Sequence, residues 1–476
     1  MMSKKLKYID LFSGCGGLSL GLEKARFDLV LAVEKSNMAA ETFYHNFIER
    51  GLTSEKWESH CSLPIEGQFK KKLVVNGIDA ILTKRSLLTQ LKNKNIDLVV
   101  GGPPCQGFSM AGRRRPKDAR NQLPWQFLDF VEKVNPKVVV MENVVGMRRK
   151  FSKHNHDSPF EDLKFALETS GEGYVVQALE LNAMHYGVPQ HRPRVILVGV
   201  RKNLPISKKI SILPGVWSSM GYVNKDNAHI IRPTLAPKPS YSGDSIRNVR
   251  DAFADLNDKG YKFKTRQDYN LPHHEYAKRM RYDKSWMKPH IKSLNGFEFL
   301  KNHRSRNHGE RVVTRFMLHH ALKEYGIPSI VFSIPRCKKY KKGEVDEVLL
   351  NLLRGITWPL AYKDTVLATS RAELVSLVKE LATKKHSQRL LKKREPSPTV
   401  LSIPDDYIHP VRPRALTVRE MARLQSFPDT FVFQAKETTG GSSRGREVPQ
   451  YTQVANAVPP LLAYELGKHI SNLLKK

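Results

Sequence analysis

Four features of this chain combine residue type and spacing in ways that suit chemistry on a bound molecule. The first is Cys105, in Gly101 to Arg114 (GGPPCQGFSMAGRR), directly after Pro103-Pro104. A thiol on a rigid, accessible loop suits a nucleophile, because the thiolate attacks and the loop fixes where it stands. The second is Glu142, which opens Glu142-Asn143-Val144. A carboxyl there can hold a proton for a reacting group, or it can simply cap or salt-bridge a helix. The third is the pair Arg192 and Arg194 in Gln190-His191-Arg192-Pro193-Arg194. The fourth is the turn Asp10-Leu11-Phe12-Ser13-Gly14-Cys15-Gly16-Gly17. Its glycines let backbone amides approach a ligand closely. Glu34 follows about twenty residues later, where an acidic residue grips ribose hydroxyls. Ser19 stands where a dinucleotide fingerprint has its third glycine, which argues against NAD and leaves a smaller adenosine cofactor.

These residues need strand ends to hold them. Apolar runs at Tyr8–Phe12, Leu29–Val33, Ile96–Val100, Val138–Met141, Tyr174–Leu179 and Val195–Val200 read as buried strands. Amphipathic or capped segments lie between them, among them Asn37–Glu49 and the stretch opened by Ser158-Pro159. Pro124 opens a further helix and Pro136 closes it. Strands alternating with helices predict an α/β, doubly wound, parallel sheet of Rossmann-like type. Such sheets bind ligands outside the carboxyl ends of their strands, so the Cys105 loop, Glu142 and the glycine turn can share one rim.

The chain has 476 residues and a formal net charge of +33. By count, residues 201–395 carry roughly +22 of that excess, a concentration that points to a polyanionic nucleic-acid partner. These residues lack steady alternation and read as a second, smaller recognition domain, with Lys384–Arg394 as a solvated hinge. Residues 396–449 form a bracing segment. Thr417-Val418-Arg419-Glu420 is a capping box there, and Pro459-Pro460 opens a last helix, Leu461 to Leu474. The four cysteines have no CxxC spacing, and no segment is long enough to span a bilayer. Both point to a reducing cytoplasm. The histidines of Asn302-His303-Arg304-Ser305-Arg306-Asn307-His308 lack the further ligands a tetrahedral metal needs, so structural or phosphate contacts are expected. Trp286, Met287, Phe297 and Phe299 read as a small core.

Six blocks occur in order: DLFSGCGG, GGPPCQGFS, ENV, QHRPR, RALTVREMARLQSFPD (Arg414 to Asp429) and QVANAVPP (Gln453 to Pro460). Together they resemble the DNA (cytosine-5)-methyltransferase family, of bacterial or phage restriction-modification type. The resemblance implies methyl transfer from S-adenosyl-L-methionine to C5 of a flipped cytosine in double-stranded DNA, with Cys105 bonded covalently to C6. It makes Glu142 the group at cytosine N3, Arg194 the residue that orients the base and Arg192 its support. It places the cofactor against Phe12, Gly14, Cys15, Gly16, Glu34, Asp79, Pro103, Leu123, Asn456 and Ala457. Gly112-Arg113-Arg114 becomes a loop that closes on phosphates. The catalytic domain would comprise residues 1–200 completed by 450–476, with 201–395 as the target recognition domain. A monomer working beside a cognate restriction endonuclease is expected.

The chain departs from the family at Ala455, where glycine usually precedes the asparagine. If that position requires a positive φ, alanine costs on the order of 1 kcal/mol. Two rivals remain. The tRNA-methylating branch of the family carries a Cys-Phe-Thr signature, whereas the recognition region here has only Cys337, in Arg336-Cys337-Lys338. A silent DNA-binding relative would have no need of intact Cys105, Glu142 and Arg194.

Overall fold

The six strand-forming runs of the first half reappear in the computed structural model as β1 (Leu6–Leu11), β2 (Phe27–Val33), β4 (Leu98–Gly101), β5 (Val138–Val144), β6 (Tyr174–Asn182) and β7 (Pro193–Arg201), joined by the unpredicted β3 (Leu73–Val74) and β8 (Val216–Ser218). The structure describes residues 5–51, 53–104, 122–148, 159–223, 231–256, 274–283, 285–286, 300–337, 340–341 and 343–475. Cys105, the Gly112-Arg113-Arg114 loop, Met287, Phe297 and Phe299 lie outside the described residues.

The eight strands form one sheet in the order β3-β2-β1-β4-β5-β7-β6-β8. Successive residues of the central strands enter opposite cores. Leu98, Val100, Val138 and Val140 face one apolar cluster, while Val99, Val139 and Met141 face the other. Strands buried on both faces must be apolar throughout, which is why these runs carry no polar alternation.

One expectation is corrected at β7. It pairs antiparallel with both β5 and β6, whereas β1 to β5 pair in parallel. Only residues 183–192 separate β6 from β7, and a parallel crossover needs a dozen or more residues, usually with a helix. The antiparallel return brings the N-terminal end of β7 to the rim where β4 and β5 finish.

The helix Gly17–Lys24 follows β1 and packs beside the last helix, Pro460–Leu474. A Cβ on Gly21 would stand 2.5 Å from the Ala463 Cβ and the Pro460 carbonyl oxygen, so only glycine permits this approach. The chain's two ends therefore share one layer.

Residues of the basic region fall into two cores. Trp217, Leu235, Val249, Phe253 and Tyr276 join the cluster on one face of the main sheet. Residues from Leu318 to Leu381 form a cluster of their own. This second cluster is built on the helices Glu310–Lys323, Glu344–Leu352 and Arg371–Glu380 and the hairpin β9 (Leu360–Tyr362) and β10 (Thr365–Ala368). Trp286 does not sit in a separate small core. Its ring lies under the Lys24 ammonium at 4.2 Å, and Lys24 also pairs with Asp283 at 2.9 Å.

Lys384–Arg394 is not a hinge. Within it β11 (Arg389–Leu390) pairs with β12 (Tyr407–Ile408), Lys385 pairs with Asp405 at 2.9 Å, and Gln388 Nε2 donates to the Asp405 carbonyl at 2.7 Å. The capping box at Thr417 forms, with Thr417 Oγ1 accepting from the Glu420 amide at 3.1 Å and Glu420 accepting from the Thr417 amide at 2.8 Å. His303 shares a 2.8 Å hydrogen bond with the Thr417 hydroxyl, and His308 accepts from the Ala415 amide at 3.3 Å. Both histidines thus brace the start of this helix.

Candidate active site

At the end of β1 the backbone turns left-handed at Phe12 (φ 57°), Gly14 (φ 55°) and Gly16 (φ 99°). A Cβ on Gly16 would press to 2.3 Å from the Phe47 ring, whereas at Gly14 it would meet open space. The turn is therefore packed from behind and open in front. Glu34, just past β2, secures it: Oε2 accepts from the Gly14 amide at 2.9 Å and Oε1 from the Ser36 amide at 2.6 Å. Burial raises the Glu34 pKa, opposed by the amides of Ser36, Gly14 and Lys35. Three amides leave the carboxylate one lone pair for a further donor.

The other residues expected around this turn are placed unevenly. Cys15 is buried, its Sγ set 3.6 Å from the Gln453 carbonyl, and burial pushes its thiol pKa up. Its side chain faces the C-terminal helices, which leaves only its backbone for a ligand. Asp79 is exposed in the first turn of the helix Ile78–Leu82, and Leu123 begins the helix Leu123–Val134. Asn456 is exposed at the end of the helix Gln450–Asn456, and Ala457 caps that helix.

Glu142 lies inside β5, which runs on to Val144 because β7 pairs with it that far. Val144 stands opposite Arg194 and Glu142 opposite Ile196, so Glu142 and Arg194 are diagonal neighbours on one face of the pair. Arg194 Nε reaches Glu142 Oε1 at 2.8 Å, with the two side chains 10% and 12% exposed. Burial lowers the Arg194 pKa, and Glu142 raises it back in part. The second carboxylate oxygen, Oε2, lies over Gly102, where a Cβ would stand only 2.9 Å away. Asn143 points to the other face and donates from Nδ2 to the Pro103 carbonyl at 2.9 Å. The strand carrying Glu142 thus also fixes the two prolines before Cys105. Gly102 and Asn143 escaped the sequence reading; the signal was their place inside GGPP and ENV, read there as turn and strand end alone.

Arg192 is fully buried and its Nη2 donates to the carbonyls of Ala455 and Ala457 at 2.8 and 3.0 Å. Burial, and then the Arg194 charge, draw its pKa well down, while Glu142 and Tyr407 oppose the shift. It links the rim of β7 to the C-terminal segment. Ala455 lies within the helix Gln450–Asn456 and is absent from the left-handed residues, so this position asks nothing of glycine and the expected cost does not arise. Gln190 and Gln425 complete the link: Gln190 Nε2 donates to Gln425 Oε1 at 3.1 Å, and Gln425 Nε2 to the Val454 carbonyl at 2.7 Å.

The rim therefore offers a largely buried carboxylate held by an arginine, beside a separate amide-lined turn that suits a small polar cofactor. No helix among the described residues is long and apolar enough to cross a membrane. The chain is 30% identical to the type II methyltransferase M.DdeI of Desulfomicrobium norvegicum, over 98% of this chain and 88% of that protein. It is 29% identical to M.XorII of Xanthomonas oryzae pv. oryzae, over 98% and 85%. In fold it resembles a prophage-encoded DNA modification methyltransferase solved from E. coli, with TM-score 0.59 and 22% identity across 99% of this chain and 100% of that one. The pattern of the C-5 cytosine-specific DNA methylases matches residues 6–472, and the chain belongs to that family.

Proposed function

We propose that Cys105, Glu142 and Arg194 form the reacting centre of this DNA cytosine-5 methyltransferase, with S-adenosyl-L-methionine as methyl donor. The observation that carries the reading is the Glu142–Arg194 pair set over Gly102, three residues before Cys105. The glycine turn fits the donor: there is open space in front of Gly14 and the Glu34 carboxylate stands beside it. Phe12, Gly14, the Cys15 backbone, Gly16 and Glu34 would hold it, with Asp79, Pro103, Leu123, Asn456 and Ala457 as further contacts. When bound, S-adenosyl-L-methionine supplies an electrophilic methyl group.

C5 of cytosine is a weak nucleophile, and the protein's task is to make it a strong one. The Cys105 thiolate bonds to C6 and pushes electron density toward C5 and N3. Glu142 faces N3 with the oxygen that Arg194 leaves free, and a proton shared there offsets the charge that develops on the ring. Arg194 fixes the carboxyl plane and faces the base; Arg192 positions the strand behind it. Once C5 carries the methyl group, its proton passes to water, the C5–C6 double bond re-forms and the C6–sulfur electron pair returns to Cys105 as thiolate. Attack perpendicular to the ring is blocked inside stacked duplex, so the base must be flipped out at a cost of a few kcal/mol.

Residues 201–395 would choose the sequence; their first part shares the core of the main sheet and their second, from Leu318 to Leu381, has a core of its own. A cognate restriction endonuclease acting on the same site, a monomeric state and a cytoplasmic location complete the proposal. Bisulfite sequencing of DNA from cells expressing the protein should show one short methylated motif, and Cys105→Ala should erase it. Wild-type methylation by Cys105→Ala would overturn this assignment of the nucleophile.

A further inference from the structure

Away from the Glu142–Arg194 pair, three separate segments close around a cleft of about 600 Å³. One side is the end of the helix Glu310–Lys323, one is the turn between β9 and β10, and the third is the strap Lys392–Glu395. Each segment brings a cation to it: Lys323, Lys363, and the run Lys392-Lys393-Arg394, all exposed. Two carboxylates also line it. Glu395 is taken up by Lys392 at 2.8 Å, and Glu324 stands next to Lys323 in sequence. The balance left in the cleft is positive.

The cations stand on a built frame. Lys363 occupies the two-residue turn of the hairpin with φ 52°, a left-handed conformation that glycine or asparagine would adopt at less cost. The floor beneath it is tied down, with the Tyr362 hydroxyl donating to the Val411 carbonyl at 3.3 Å and the His320 ring 5.3 Å from the Tyr362 ring. The strap is held by its backbone: the Arg250 amide donates to the Lys393 carbonyl at 2.9 Å and the Val249 amide to the Glu395 carbonyl at 3.0 Å. It then runs directly to the catalytic rim. The Ser397 carbonyl accepts from the His191 amide at 2.7 Å, one residue before Arg192. Arg394 is three residues from Ser397, within about 10 Å of extended chain.

We infer that this cleft grips the sugar-phosphate backbone of the duplex beside the target base, as a non-reading clamp whose strap is hydrogen-bonded to the rim that carries Arg192 and Arg194. The inference rests on the proposed reacting centre at that rim. Long flexible cations from three segments match a row of phosphates and carry no sequence information, because phosphates are alike in every sequence. Each phosphate neutralised steepens the fall of log affinity with log salt by about 0.9.

The test is fluorescence anisotropy of the full chain with a labelled duplex containing its methylated motif and one lacking it, each titrated over a range of potassium chloride. In Lys363→Gln/Lys393→Gln/Arg394→Gln the salt slope should become shallower by about 2.7. Affinity at low salt should fall at least tenfold, by the same factor for both duplexes. An unchanged slope, or a loss confined to the motif duplex, overturns the clamp. Should the triple variant fail to fold, Lys363→Gln alone, at an exposed turn, should lower the slope by about 0.9 while Lys363→Arg keeps it; equal slopes in all three proteins overturn it equally. A wild-type protein that binds duplex but transfers no methyl group defeats the reacting-centre reading instead.

Discussion

Deleting the Arg194 guanidinium while keeping Glu142 separates an ion pair that matters from one that merely exists. The two side chains are about nine-tenths buried and meet at 2.8 Å. In Arg194→Met the Glu142 carboxylate stays at the rim with no compensating charge, which costs about 3 kcal/mol for a pair this far from water. In Glu142→Gln/Arg194→Met both charges are gone and the remaining groups are neutral, so the double variant should recover part of that loss. Thermal midpoints measured without DNA or cofactor should therefore rank wild type first, the double variant second and Arg194→Met last. Methyl transfer should drop at least about 100-fold in Arg194→Met and in Glu142→Gln, since each removes part of one proton-holding unit. The double variant should be scarcely slower than the worse single variant. If stability losses of the two single variants simply add, within about 0.5 kcal/mol, the residues are not coupled and the reasoning fails.

Two further outcomes follow from the same geometry. Gly102→Ala puts a methyl group 2.9 Å from Glu142 Oε2; the carboxyl must move, and methyl transfer should fall more than about tenfold with S-adenosyl-L-methionine affinity by calorimetry unchanged, so a normal rate would place Glu142 elsewhere. Asp10 is fully buried, its Oδ2 accepting from the Ser19 hydroxyl at 2.6 Å, and burial pushes its pKa up to about 7 from 3.8. The folded protein thus holds a proton there that the unfolded chain releases near pH 4, so stability declines as pH rises from about 4 through 7, by up to about 4 kcal/mol. Asp10→Asn should make the decline in thermal midpoint between pH 5 and 8 shallower without removing it, because burial also pushes Glu23 up to about 7; an identical decline in both proteins would refute it.

Of the groups proposed to react, Cys105 and Glu142 stood out in sequence because each follows an apolar run, and Arg194 because it leads into one. Their mutual contacts did not. Reading Val138–Met141 as the whole strand put Glu142 in a loop, because nothing local says that β7 returns antiparallel and extends the pairing to Val144. That same return is what makes Arg194 a diagonal neighbour of Glu142. Arg192 read as support for Arg194, but the groups it holds, the carbonyls at 455 and 457, are more than 260 residues away and invisible to any local pattern. The strap near Lys384–Arg394 failed for a related reason. A basic run with few apolar residues resembles a solvated hinge, and its order comes from pairing with Tyr407–Ile408 and from backbone bonds to Val249 and Arg250. Composition located the charge correctly, but three-dimensional assembly decides where it gathers.

The central claim is covalent attack by Cys105 on C6 of a cytosine, and trapping the attack tests it most directly. A duplex carrying 5-fluorocytosine at the methylated position has no C5 proton to lose once the methyl group is in place, so the C6–sulfur bond cannot break. Incubated with S-adenosyl-L-methionine, the wild-type protein should form a denaturant-stable adduct with this duplex, and mass spectrometry should place the link on Cys105. An enzyme that methylates ordinary DNA yet leaves no adduct, or one joined at another residue, would contradict the account.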